Sequence, residues 1–264
     1  MKITRFLNKR SSLGIPYFLF MLCFVVAPLV IIVFFAFTDG NGHLTFDNFL
    51  RFVSNPKDLN TFVYSMVLSM ITTLICLVVG YPIAYILSDS RLCKSQVMVI
   101  LFIMPMMVNV LVRTLATVAL FGWLHLPLGE GALIFGMVYN FLPFMIYPIY
   151  NVLNKLDKSY IEAAQDLGAN PVQVFLKVVL PLSKEGIISG VMMVYMPTIS
   201  TFAISELLTL NNIKLFGTTI QENINNGMWN YGAMLAVVML VIIMVLNMFD
   251  KSPEEGGSEM GGLV

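Results

Sequence analysis

Two ionisable side chains stand inside long apolar runs of this 264-residue chain, Arg113 and Glu206. A charge at the centre of a membrane-spanning helix costs about 2.5–3.5 kcal/mol on insertion scales, so each is expected to face protein or water, not lipid. Asn109, Arg113 and Thr117 are spaced i, i+4, i+8, and Thr198, Thr201 and Ser205 lead up to Glu206. Helical periodicity allows each set to share a face, so both stripes can turn toward one interior. The chemistry open to them is the binding and passage of a charged solute. Glu206 could attract a cationic amine, pair with Arg113, or reach out to water, and the sequence leaves these three open. Tyr139, Phe144, Tyr147, Tyr150 and Tyr195 could add cation–π contacts along such a route. Aromatic residues in membrane helices also serve as packing and interfacial anchors.

Bond-making chemistry has no equipment here. The chain contains no H-E-x-x-H, no G-x-S-x-G and no His/Asp cluster within the apolar runs. Cys23, Cys76 and Cys93 form no CxxC, and His43 and His125 fall in predicted loops, so neither a disulfide framework nor a metal centre is expected. No G-x-x-x-x-G-K-[ST] is present, so no phosphate-cradling loop is either. A formal net charge of zero gives no reason to expect a nucleic-acid partner.

These side chains are carried by segments of unusual composition. Of the residues, 58% are hydrophobic and 11% charged, against about 25% charged in a soluble domain. About 20 apolar residues span a bilayer as a helix. Uncharged runs cover Ile15–Phe37, Leu59–Ser88, Gly131–Asn154 and Asn223–Phe249. Ser95–Gly129, holding Arg113, and Gly186–Ile213, holding Glu206, make six. The fold expected is an all-α integral membrane protein with six transmembrane helices over 15–249. The first run is too long for a signal h-region and no A-x-A site follows it, so it reads as an uncleaved anchor. Prolines 82, 105, 143, 148 and 197 fall inside the runs and are expected to bend them, Pro197 being the best hinge candidate.

Loop charges orient the set. With the first segment, 1–14, on the cytoplasmic side, eleven Lys and Arg lie inside and three outside (Arg51, Lys57 and Lys214). The positive-inside rule then places both termini in the cytoplasm. The tail 250–264 is Gly- and Glu-rich and is expected to be disordered.

The connection between the fourth and fifth spans, 155–184, carries its own punctuation. Ser159 followed by Glu162 is an S-x-x-E spacing that predicts a capping box. Gly168 stands where a left-handed C′ residue is wanted. Asn170 can cap a second helix with Pro171 at its first position, and Leu180-Pro181 is expected to end it. Two short helices meeting at a glycine corner cannot be stable alone in water, so they must pack against something. Ala163-Ala164 offers a flat patch for close approach.

Glu162-Ala163-Ala164, three residues, Gly168, nine residues, Val178, one residue, Leu180-Pro181 resembles the EAA loop of ABC importer permeases, with Val178 in place of the family's Ile. The stretches "GMVYNFLPFMIYPIYNVLNKLDKSYIEAAQDLGAN" and "LPLSKEGIISG" are similar to permeases of the spermidine/putrescine importers. The connection "GWLHLPLGEGA" is shorter than in that family. The resemblance implies the type I importer permease fold and a non-catalytic subunit of the bacterial inner membrane. It implies that Ser159, Glu162, Ala163, Ala164, Gly168, Leu180 and Pro181 belong to a coupling element seated on an ATPase dimer. ATP and Mg would be bound by that ATPase, and no cofactor by this chain. It also implies a second, homologous permease subunit, an external polyamine-binding protein and a polyamine solute, alongside membrane lipid. Asn109, Arg113, Tyr139, Tyr195 and Glu206 are the candidate pathway residues. A permease for an anion or metal chelate, or an ion-coupled carrier, are the competing readings.

Overall fold

A computed structural model of the protein describes residues 15–89 and 96–249. The basic residues before 15, Arg91, Cys93, Lys94 and the tail from 250, Lys251 included, lie outside the described residues. Helices are α1 (Pro16–Ala36), α2 (Asp47–Ser54), α3 (Pro56–Ser88), α4 (Val97–Met107), α5 (Val110–Trp123), α6 (Glu130–Asn154), α7 (Ser159–Asp166), α8 (Pro171–Leu182), α9 (Lys184–Ser200), α10 (Ala203–Thr209), α11 (Phe216–Asn225) and α12 (Trp229–Phe249). Four of them, α1, α3, α6 and α12, are long and apolar enough to cross a membrane. Counting each of the bent pairs α4–α5 and α9–α10 as one span makes six.

Proline shapes these helices in two ways. In α1 the stretch Leu22–Val26 is a π-turn, closed by the Ala27 N–H on the Leu22 carbonyl, and Pro28 follows at once. In α8 the stretch Phe175–Val179 is also a π-turn, closed by the Leu180 N–H on the Phe175 carbonyl, and Pro181 follows. A proline ring has no N–H and collides with the carbonyl four residues back. One extra residue in the preceding turn moves that carbonyl aside and lets the helix continue. Hence α8 passes through Pro181 and ends at Leu182, past the Leu180-Pro181 stop expected from sequence.

Pro82, Pro143, Pro148 and Pro197 lie within continuous helices. Of the five singled out from sequence, only Pro105 sits at a break, in the 3-10 turn Met104–Met107, where α4 and α5 diverge by 97°. The α9–α10 bend of 65° comes after Ser200, not at Pro197. What opens the chain there is tertiary. A Cβ on Gly217 would stand 2.4 Å from the Ser200 carbonyl oxygen and 2.8 Å from that of Thr201, so only a glycine lets this backbone close on the broken end.

The chain divides into two compact units, Met1–Leu59 with Thr219–Ile242, and Asn60–Thr218 with Ile243–Val264. In the first, α1 is exposed along its whole apolar window, and polar side chains secure the connection that follows it. The Asn48 amide donates to the carbonyls of Ala36 and Thr38 at 3.2 and 3.1 Å. The Asn230 amide donates to the carbonyls of Phe35, Thr38 and Asp39. The Asp39 carboxylate accepts from the backbone N–H groups of His43 and Asn41, at 2.9 Å each. These bonds favour its ionised form and draw its pKa below the ordinary value.

In the second unit α6 is the axis of the core. Leu133, Met137, Met145, Ile146 and Ile149 are all but fully buried along it, with Ile204 and Leu208 of α10. Helix α9 lies against α6 through Gly186 and Gly190, a G-x-x-x-G spacing. Added Cβ atoms there would meet the Pro148 carbonyl oxygen at 3.0 Å and Met145 Sδ at 2.9 Å. Small residues at that period let membrane helices approach backbone to backbone.

Candidate functional site

The elbow formed by α7 and α8 is built from nearest-neighbour chemistry. Its first cap is Asp157, not Ser159. The Asp157 carboxylate accepts from the Ser159 backbone N–H at 2.9 Å, and the Asp157 carbonyl accepts from the Tyr160 N–H. The expected Ser159–Glu162 capping box is therefore absent, because an ionised acceptor two residues upstream already holds the orphan donor. That bond, with a second from the Ser159 side chain, lowers the Asp157 pKa.

Helix α7 ends in a full Schellman motif. The Ala169 N–H reaches the Ala164 carbonyl at 3.0 Å and the Gly168 N–H reaches Gln165 at 2.9 Å. Gly168 takes φ +82°, and a Cβ there would touch nothing within 4 Å. The backbone angle, not a lack of space, is what favours glycine here. Asn170 then opens α8 with a reciprocal capping box. Its side chain accepts from the Gln173 N–H at 2.8 Å, and the Gln173 side chain accepts from the Asn170 N–H at 3.0 Å. Gln173 was not singled out from sequence, although N-x-x-Q carries the same signal as S-x-x-E.

The elbow is anchored on one face and open on the other. Val174 and Val179 are buried, and the Phe175 ring meets Tyr81 and Tyr85 edge-on at 5.6 and 5.7 Å. The Tyr81 hydroxyl and Ser183 Oγ share a hydrogen bond of 2.8 Å. The Ala163-Ala164 pair divides. Ala164 packs on the core with Ile161 and Ala163 stays exposed, because neighbouring residues on a helix face different ways. Leu180 is half-buried and Pro181 exposed. Tyr160, Leu167, Val172 and Leu176 project outward, Leu167 at 90% exposure. Glu162 lies exposed at the rim of a cavity of about 300 Å³, lined also by Tyr85, Asn154, Lys158 and Gln165.

The intramembrane residues are arranged otherwise than their spacing suggests. Asn109 stands at the α4–α5 break and caps α5, accepting from the Leu111 N–H at 2.8 Å. It is exposed, while Arg113 and Thr117 are buried, so the stripe does not include it. Arg113 is 6% exposed. One guanidinium nitrogen donates to the Asn140 carbonyl at 3.1 Å, while Arg113 Nε and Asn140 Oδ1 are buried without partners. Asn140, which sequence reasoning passed over, donates to the Gly136 carbonyl and to Thr114. A polar residue within an apolar run was the available signal. Tyr139 joins Arg113 in lining an apolar cavity of about 400 Å³ with Leu101, Met104, Pro105, Val108, Val112 and Ala116.

Glu206 lies on α10, half-buried, beyond the bend, and the structure records no ion pair between it and Arg113. The hydroxyls of Thr198 and Ser205 are turned onto backbone carbonyls, those of Val194 and Ile213 among them, so they are already satisfied. Tyr195 is half-buried on α9 and lines neither of these two cavities.

Comparison with known proteins gives this arrangement a family. Residues 78–251 match the family described as binding-protein-dependent transport system inner membrane component. The chain is 33% identical over 253 residues to the spermidine/putrescine transport system permease protein PotB of Haemophilus influenzae, covering 87% of this chain and 88% of that one. It is 29% identical to a PotB homolog of Mycoplasma genitalium, covering 84% and 82%. Among solved structures it is similar to a bacterial ABC transporter that imports the acidic polysaccharide alginate (TM-score 0.72, 15% identity, 93% of this chain and 96% of that chain). It is also similar to the MetNI methionine ABC transporter in an inward-facing conformation (TM-score 0.58, 14% identity, 73% and 92%); at such identities the likeness speaks for the fold. An all-helical membrane chain with two broken spans and a capped elbow, matched by a family profile over most of its length, is a permease subunit belonging to the binding-protein-dependent transport system inner membrane components.

Proposed function

We propose that this chain is one permease subunit of an ATP-driven importer that moves polyamines such as spermidine and putrescine across the bacterial inner membrane. It works by alternating access, with both termini in the cytoplasm. The observation that carries the reading is the α7–α8 elbow. It is fixed by three local devices and presents Tyr160, Leu167, Val172 and Leu176 uncovered by any of the described residues. Elbows of this kind suit docking on a separate protein, and the E-A-A-x3-G spacing identifies the partner class as an ABC ATPase dimer. ATP and Mg belong to that dimer. The likeness to PotB proteins supports the solute class, a second homologous permease and a polyamine-binding protein that delivers the solute.

The route for force follows from the anchoring. A push on the elbow passes through Phe175 to Tyr81 and Tyr85 on α3, and through the Tyr81–Ser183 bond to the start of α9. Helix α9 leads to the 65° bend and Glu206. Helices tied at one end and broken near the other can rock without losing backbone hydrogen bonds.

Purifying the intact assembly from its own membrane tests both levels. The expected result is co-purification of an ATPase whose hydrolysis rises with spermidine or putrescine in the presence of the binding protein. An assembly with no ATPase would defeat the coupling role. The buried, uncompensated Arg113 favours a second reading, an anionic solute; stimulation by anions but not by polyamines in the same assay would establish it.

A further inference from the structure

Helix α2 has three faces, and the residues on each are of one kind. Phe52 and Asn48 turn toward protein; Phe52 is buried, and the Asn48 amide is bonded to the Ala36 and Thr38 carbonyls. Asp47, Arg51 and Ser54 form an exposed polar face, with the Arg51 guanidinium laid over the Tyr231 ring at 4.4 Å. Between them runs a stripe of Leu50 and Val53, continued by Phe46 at the N-cap, exposed at 63, 67 and 69%. A helix in water gains nothing from three large apolar side chains in line, whereas one lying at a membrane surface needs protein, water and lipid on three separate sides.

We propose that α2 is an interfacial helix whose Phe46–Leu50–Val53 stripe enters the acyl-chain boundary of the bilayer and fixes the depth of α1. Lipid is favoured over a protein partner by continuity. The chain leaves α1, a helix long and apolar enough to cross a membrane, at Ala36, so α2 follows the end of a candidate span after one short connection. Phe37, which ends α1, meets the Phe46 and Phe49 rings at 5.5 and 4.9 Å. The exposed surface of α1, which includes Phe34 and Phe35, thus runs on into the stripe. Phe and Leu are usual on the buried face of a helix that lies in the membrane interface. The inference holds for any solute and for either leaflet.

The test uses the complete transporter in nanodiscs. Cys23, Cys76 and Cys93 are first replaced, with transport activity retained. Single cysteines at Leu50, Val53, Asp47 or Ser54 then carry an environment-sensitive fluorophore, and lipids bearing a nitroxide high on the acyl chain act as quenchers. The expected pattern is several-fold stronger quenching and a blue-shifted emission for Leu50→Cys and Val53→Cys than for Asp47→Cys and Ser54→Cys. Equal quenching at all four positions overturns the proposal. So does a stripe that stays wet until purified binding protein is added and only then becomes shielded, which would assign the face to that protein.

Discussion

The elbow and the α9–α10 bend both depart from straight helix, and they do so by opposite means. At the elbow each departure is written within a few residues: Asp157 caps Ser159, Gly168 turns at φ +82°, and Asn170 and Gln173 cap each other. At the α9–α10 bend the nearby proline is bypassed, and the break is held by Gly217, more than a dozen residues on, closing against the Ser200 and Thr201 carbonyls. A locally encoded corner is a fixed part. A bend held by tertiary packing can change when the packing changes. Under the proposed function, that division suits an element that transmits force and one that gates a passage.

The largest expected effect comes from attacking the fixed part. Gly168→Val places a β-branched residue in the left-handed region, at a cost of order 1–2 kcal/mol, and swings α8 away from α7. ATPase co-purification and transport should both be lost. Gly168→Asn should retain most of both, since asparagine tolerates that region and a Cβ meets nothing within 4 Å. If the valine variant behaves as wild type, the corner is not what sets the elbow.

Glu206→Gln and Arg113→Met probe the gating region and should produce smaller, separable effects. Under the polyamine reading Glu206→Gln weakens uptake affinity while assembly stays intact; unchanged affinity and rate would remove Glu206 from the route. Arg113 has one hydrogen bond and no ion pair with Glu206, and an unpaired buried charge is costly. Arg113→Met should therefore leave thermal stability equal or higher, as measured by the melting temperature of the detergent-solubilised assembly. A marked fall would mean that a partner chain supplies its counter-charge.

This contrast also sets what was legible in the sequence. Six spans, the all-helical fold and the glycine corner could be read because apolar run length and positive-φ demand are properties of short segments. Pro197 was a misleading hinge because it stands within continuous helix, and the chain bends only after Ser200. Asn109 misled by periodicity, since i, i+4 spacing has meaning only within one unbroken helix, and the helix starts after it. Asn140 and the Gly186–Gly190 spacing stood in the sequence as signals, but what they pack against followed only from the placement of α6 among its neighbours.

The smallest effect discriminates most finely, because it asks which of two caps starts α7. Sequence spacing favours Ser159; the geometry assigns Asp157, whose carboxylate accepts the Ser159 N–H. Loss of a capping side chain leaves a helix-terminal N–H without its acceptor and weakens the first turn. Asp157→Ala should loosen the first turn of the elbow, seen as faster amide exchange over 159–162 and a modest drop in coupled ATP hydrolysis, while Ser159→Ala should move either quantity far less. The proton supplies a second check. Because the folded-state pKa of Asp157 is depressed, its contribution is complete above the ordinary carboxylate range and is lost as pH falls through the folded value. Exchange over this turn should thus respond to acidification in the wild type and not in Asp157→Ala, once the intrinsic pH dependence of exchange is removed. The opposite ranking of the two alanine variants would restore Ser159 as the cap and place the elbow's start two residues later.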